Sequence, residues 1–155
     1  MEKTLILSSK IFKLFKMTRT ILNSDNYRRF PIRFDKWYAI LSHVLFLPPS
    51  HSYVEIDNKQ VRVRMGWAFY SKFPRTAISS ISLMDTNRII LSRGVHGWAD
   101  LWLVNGSAQG IVTIELRPKQ PGYITSFPLQ LKQLLVSVEE PMELIDALRN
   151  HIENA

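Results

Sequence analysis

From residue 52 to residue 138 short alternating apolar and polar runs are cut repeatedly by turn residues, and no long stretch keeps a helical period. That rhythm commits the body of the chain to strands, because a period of two places every second side chain on one face of a sheet. Tyr53-Val54-Glu55-Ile56 and Val61-Arg62-Val63-Arg64-Met65 stand on either side of Asp57-Asn58-Lys59-Gln60, a turn cluster of hairpin length, and predict an antiparallel hairpin. Gly66 interrupts the second run before residues 67–73, which predicts a bulge or bend in a sheet curling toward a barrel. Residues 78–83 form a further, less regular strand. Leu101-Trp102-Leu103-Val104 and residues 110–116 flank Asn105-Gly106-Ser107, which reads as a second hairpin because Asn and Gly tolerate positive φ. Residues 86–97 read as loop apart from Ile89-Ile90-Leu91. Pro118, Pro121 and Gly122 open another loop, and residues 129–138 make a last strand.

Helical periods bracket this region. Phe30, Ile32 and Phe34 alternate as an edge strand that carries Pro31. Then Phe34, Trp37, Tyr38, Leu41, Val44 and Leu45 recur at three and four, which predicts a helix over 35–46 with Asp35 as its cap and Pro48 as its stop. At the other end Pro141 opens a helix striped with Met142, Ile145, Leu148, Arg149 and Ile152, since proline at the first helical position lacks an N–H that would be unpaired there anyway. The expected fold is mainly β with helices: a curved antiparallel barrel of about seven strands capped by a C-terminal α-helix. Residues 1–27 are a basic leader and linker, and residues 28–155 a single domain.

Charge is unevenly spread. Lys plus Arg number 20 against 13 Asp plus Glu, a net +7, yet nine of the basic residues and only three of the acids fall within residues 1–36. The rest of the chain is close to neutral, so no basic face for nucleic acid is expected. Within the first seventeen residues Leu7, Ile11, Leu14 and Phe15 recur at helical spacing beside Phe12, while Lys10, Lys13 and Lys16 fall opposite. Lys10, Lys13, Lys16, Phe12 and Phe15 are the candidate contacts with an anionic membrane surface. Leu5-Ile6-Leu7 is too short for a secretory h-region, and the apolar segment 37–47 is too short to span a bilayer, which predicts a cytoplasmic protein, peripheral to the membrane at most.

The chemistry the chain can carry is narrow. Without cysteine there is no disulfide scaffold, thiol nucleophile or thiolate metal site, and His43, His51, His96 and His151 are not spaced as metal ligands. Ser107 sits in a hairpin signal rather than a nucleophile elbow, and phosphate-cradling glycine loops are absent. No cofactor, metal or catalytic residue is therefore expected. His96, between Gly94 and Gly97 and near Arg93 and Trp98, has the composition of an anion or proton-transfer site. The same glycines equally make a tight turn, and no acid–base partner is evident. Arg93, His96 and Trp98 are carried as ligand-site candidates. Trp37, Trp67, Trp98, Trp102, Phe69, Phe73 and Phe127 are expected to fill the barrel rather than line a pocket or a strand-binding groove.

The runs Val63-Arg64-Met65-Gly66-Trp67-Ala68-Phe69, Ser92-Arg93-Gly94-Val95-His96-Gly97-Trp98, Trp102-Leu103-Val104-Asn105-Gly106-Ser107 and Leu135-Val136-Ser137-Val138-Glu139-Glu140-Pro141 together resemble an uncharacterised family of small bacterial proteins. Their element order resembles the pleckstrin-homology-like (PH-like) fold over about residues 28 to 150. The resemblance implies a binding or scaffolding module of unknown partner and oligomeric state, and no reaction or ligand. Lipid-binding members of the wider superfamily clamp phosphates with basic residues at the first hairpin, where this chain has Lys59, Arg62 and Arg64. Glu55 and Asp57 on the neighbouring strand make cross-strand pairing the simpler use of these arginines. Two alternatives stand beside membrane attachment: a protein-interaction or oligomerisation surface on the 35–46 helix, and a small-ligand or catalytic site around Arg93 and His96.

Overall fold

The computed structural model describes residues 27–85 and 93–152. Its strands are β1 (Arg28–Pro31), β2 (Ser52–Ile56), β3 (Gln60–Met65), β4 (Phe69–Pro74), β5 (Ile78–Leu83), β6 (Gly94–Trp98), β7 (Leu101–Asn105), β8 (Ile111–Ile124) and β9 (Phe127–Ser137), with helices α1 (Lys36–Val44) and α2 (Pro141–Ile152). Among the described residues all nine strands belong to one sheet, in the order β1-β2-β3-β4-β8-β9-β7-β6 with β5 also on β8, where about seven were expected. The two beyond the seven read over residues 52–138 are β1, expected as an edge strand, and β6. Residues 94–98, expected as loop, are β6, paired with β7 across the two-residue turn Ala99-Asp100, where Ala99 takes φ 55°.

The long hairpin β8–β9 organises the sheet. Between Glu115 and Gln120 its register shifts, and at that bend β8 exchanges one neighbour for another: Val112 to Leu116 pair with β5, Gly122 to Ile124 with β4. Pro118 falls in the shifted stretch, where its missing N–H leaves no ladder bond unmade, which is why the expected loop at 118–122 is continuous strand. β2–β3 forms the predicted hairpin, Val54 opposite Val63 and Glu55 opposite Arg62. Gly66 does not bulge a continuing strand. With φ 51° it starts a three-residue turn, and β4 runs back along β3.

The Asn105-Gly106-Ser107 hairpin is not formed. β7 lies parallel to β9 and antiparallel to β6, and β9 separates it from β8. The turn residues are taken by another segment. Phe34 bridges Gly106, Asp35 N–H donates to Gly106 O, and Gly106 N–H donates to Ser137 Oγ. A side chain on Gly106 would come within 2.6 Å of Arg33 O and the Phe34 ring, so glycine is required there for close approach rather than for a hairpin. With the Ile32–Val138 bridge, residues 31–35 tie the β1 end of the curled, open sheet to the far end of β9.

Alternation then builds the core. Val61, Val63 and Met65 of β3 and Phe69 and Phe73 of β4 point inward with Ile114, Leu116, Leu131, Leu134 and Val136. α2 packs against β5 through Leu144, Ile145 and Leu148, while Met142, expected in the stripe, faces solvent. Ile145 and Leu148 face inward as expected, and Leu144 joins them in place of Met142, which puts the larger apolar surface on one side. Arg75, held by burial below the ordinary arginine range, reaches across to donate to Ala147 O near the end of α2 and to Asp57 O. No described helix is long and apolar enough to cross a membrane.

Candidate functional site

α1 is built inside out. Its period was legible, but the face turned inward is polar: Tyr38 and Ser42, one turn apart, are the buried residues of the helix. Tyr38 stacks on Phe34 at 5.7 Å, and burial raises its phenol above the ordinary range. Ser42 Oγ donates back to Ala39 O. Asp35 occupies the N-cap position without capping, because its carboxylate is engaged elsewhere. Outward stand Trp37, Ile40, Leu41, Val44, Leu45 and Phe46, with Ile40 74%, Val44 71% and Phe46 82% exposed.

The end of α1 fixes this orientation. Phe46 adopts φ 54°, which reverses the chain, and Leu47 turns in to lie buried against Gly66, where any side chain would come within 2.6 Å of it. Leu47 N–H donates to Ser42 O and Phe46 N–H to His43 O, satisfying carbonyls of the last turn. The Trp67 indole, on the turn that Gly66 opens, donates to Leu45 O at 3.1 Å and extends the apolar face onto the sheet. Beside it lies a groove of about 390 Å³ lined by His43, Phe46, Pro48, His51, Arg64 and Trp67, with the Gly66 backbone.

The expectation that the aromatics fill the barrel therefore fails for four of them. Trp37, Trp67, Trp98 and Phe127 are exposed, while Phe69 and Phe73 are core and Trp102 packs partly against it. Trp67, Trp98 and Phe127 stand at turns or strand ends, where alternation no longer dictates a face.

Arg93, His96 and Trp98 do not converge. Arg93 Nε donates to Asp35 Oδ2 at 2.7 Å, and Ser107 Oγ donates to Asp35 Oδ1 at 2.8 Å. Burial pushes the Asp35 carboxyl up, but hydrogen bonds from Ser107 and Arg93 and the charges of Arg93 and Arg33 outweigh it and hold the group below its ordinary range. The His96 ring meets Arg93 O through Nε2. Trp98, 85% exposed, sits at the other end of β6 over a cavity of about 420 Å³ lined also by Asp100, Glu115, Arg117 and Lys132. The Arg93 side chain thus fastens the start of β6 to the start of α1, His96 meets only its backbone carbonyl, and Trp98 stands apart at the other end of the strand.

At the first hairpin Arg62 pairs with Glu55 as the sequence suggested, whereas Arg64 does not and donates instead to Gly66 O. Glu55, buried, accepts from Arg29 at 2.6 Å and from Arg62 at 2.7 Å, and the bond to Glu55 raises the Arg29 guanidinium above its ordinary value despite burial. Arg29 also lies 4.0 Å from the centre of the Tyr53 ring. Lys10, Lys13, Lys16, Phe12 and Phe15 lie outside the described residues. No cluster of potential metal ligands occurs among the described residues. No family model, curated protein or solved structure matches the chain.

Proposed function

We propose that this chain is a non-catalytic binding module of PH-like architecture, akin to the small bacterial family it resembles, that docks from the cytoplasm onto an anionic membrane surface. The outward apolar face of α1 carries the reading. A helix that buries Tyr38 and Ser42 while exposing Trp37, Ile40, Val44 and Phe46 gains nothing from that choice in water, where each exposed side chain forgoes about 1.5–3 kcal/mol of burial. At a bilayer interface the same face enters the acyl boundary, with Trp37 and Trp67 at headgroup depth. Charge supports this occupant, since residues 37–54 contain no acidic side chain and Lys36 opens the helix. The lysines at positions 10, 13 and 16 would add about 1 kcal/mol each near an anionic surface.

The test is co-sedimentation with vesicles containing phosphatidylglycerol. The full chain is expected to bind, a chain starting at Met17 to bind less, and Ile40→Glu/Val44→Glu to remain in the supernatant. A full chain that never sediments refutes the reading. The same exposed face favours self-association as the second reading; dimerisation that rises with concentration and is lost in the same double variant, without vesicle binding, would assign the face to a second copy.

A further inference from the structure

Resting on that membrane reading, we infer that the groove beside α1 is the seat of the headgroup phosphate of an anionic phospholipid. Three separate elements place a nitrogen-bearing side chain around it: His43 from α1, His51 from the single turn Pro49–His51, and Arg64 from β3. Among the described residues no carboxylate lines the groove, and Arg64 and His51 offer donors suited to an anion. Its remaining side-chain walls are Phe46, Pro48 and Trp67, and two of these belong to the exposed apolar face. An anion held here would sit where inserted aromatics meet water, the depth of lipid phosphates.

The donors are oriented rather than loose. Arg64 Nε donates to Gly66 O at 3.0 Å, which fixes the guanidinium plane at the turn, and its two terminal nitrogens have no partner among the described residues. His51 Nδ1 lies 3.3 Å from Ser50 Oγ and can accept from that hydroxyl, which leaves Nε2–H to donate to a ligand; His43 Nδ1 donates to Ala39 O at 2.6 Å, so its Nε2 faces an anion as a donor only as the imidazolium. Arg62, two residues from Arg64 on the same strand face, is committed to Glu55, so the two arginines of β3 have different work.

Full-length protein is mixed with vesicles of phosphatidylcholine alone or of phosphatidylcholine with phosphatidylglycerol, and the bound fraction is read by co-sedimentation. Arg64→Gln should weaken binding to the anionic vesicles about fivefold and leave any binding to neutral vesicles unchanged. Arg64→Lys should recover most of the loss. Lys72→Gln removes an equal charge from β4, away from the groove, and should change affinity much less. Phe46→Ser should lower binding to both vesicle types. All three positions are exposed, so the variants are expected to fold. Equal losses from Lys72→Gln and Arg64→Gln, or no loss from Arg64→Gln while Phe46→Ser abolishes binding, overturn the headgroup site and leave the membrane reading standing. A wild-type chain that binds neither vesicle overturns both.

Discussion

Removing the Asp35 carboxylate should cost more than its place at a helix start suggests. Asp35 makes no capping bond; its two oxygens accept from Arg93 Nε at 2.7 Å and Ser107 Oγ at 2.8 Å, joining the start of α1 to β6 and to the segment after β7. A hydrogen bond to a charged group contributes about 1.5–3 kcal/mol, and loss of one partner of a largely buried pair costs about 3–5 kcal/mol. With the Asp35 side chain 29% and Arg93 13% exposed, water recovers part of this, so Asp35→Ala should lose about 3 kcal/mol in urea unfolding at neutral pH. Acid gives a second, independent check. The native carboxyl titrates below its ordinary range, so the native state binds this proton less readily than the unfolded chain. The stabilisation is therefore full above the unfolded aspartate value of about 3.9 and fades as pH falls through the lower native value. The gap between wild type and Asp35→Ala should narrow over that window. A loss under about 1 kcal/mol at neutral pH, or a gap that acid leaves unchanged, would refute the latch.

Three further outcomes follow from burial and close approach. Ile40→Glu should leave the urea midpoint within about 0.5 kcal/mol of wild type, because the side chain already faces water; a large loss would mean that α1 packs by its apolar face after all. Leu144→Ala, at a fully buried position on the inner face of α2, should cost about 2–5 kcal/mol, and a negligible change in chemical denaturation would show that α2 is not part of the core. Gly97→Ala drives a methyl to within 2.2 Å of the Trp102 ring and should lower the melting temperature, with an overpacking cost of about 1–3 kcal/mol. An unchanged melting temperature, with an unchanged environment in Trp fluorescence, would argue that Trp102 does not lie over Gly97.

Local chemistry wrote the strands of this protein, because alternation and turn residues act between neighbours in the chain. The β2–β3 hairpin, the strand at β9 and the Pro141 start of α2 follow from such neighbours, as does the pairing of Glu55 with Arg62 across the first turn. Pairing between distant strands obeys contacts that no local period records. Asn105-Gly106-Ser107 has the residues of a hairpin, yet β9 comes between β7 and β8, and Phe34 and Asp35 take the turn, so Gly106 serves the approach of another segment. The proline-rich stretch of β8 stays extended because its bend coincides with a change of partner strand. In the candidate site, periodicity grouped Trp37, Tyr38, Leu41, Val44 and Leu45 but could not say which of them turn inward, and Tyr38 parts from the rest. That direction was set by Tyr38 stacking on Phe34, Leu47 locking into Gly66 and the Trp67 indole on Leu45 O, the last two between segments about twenty residues apart, and they turn the other apolar side chains toward solvent.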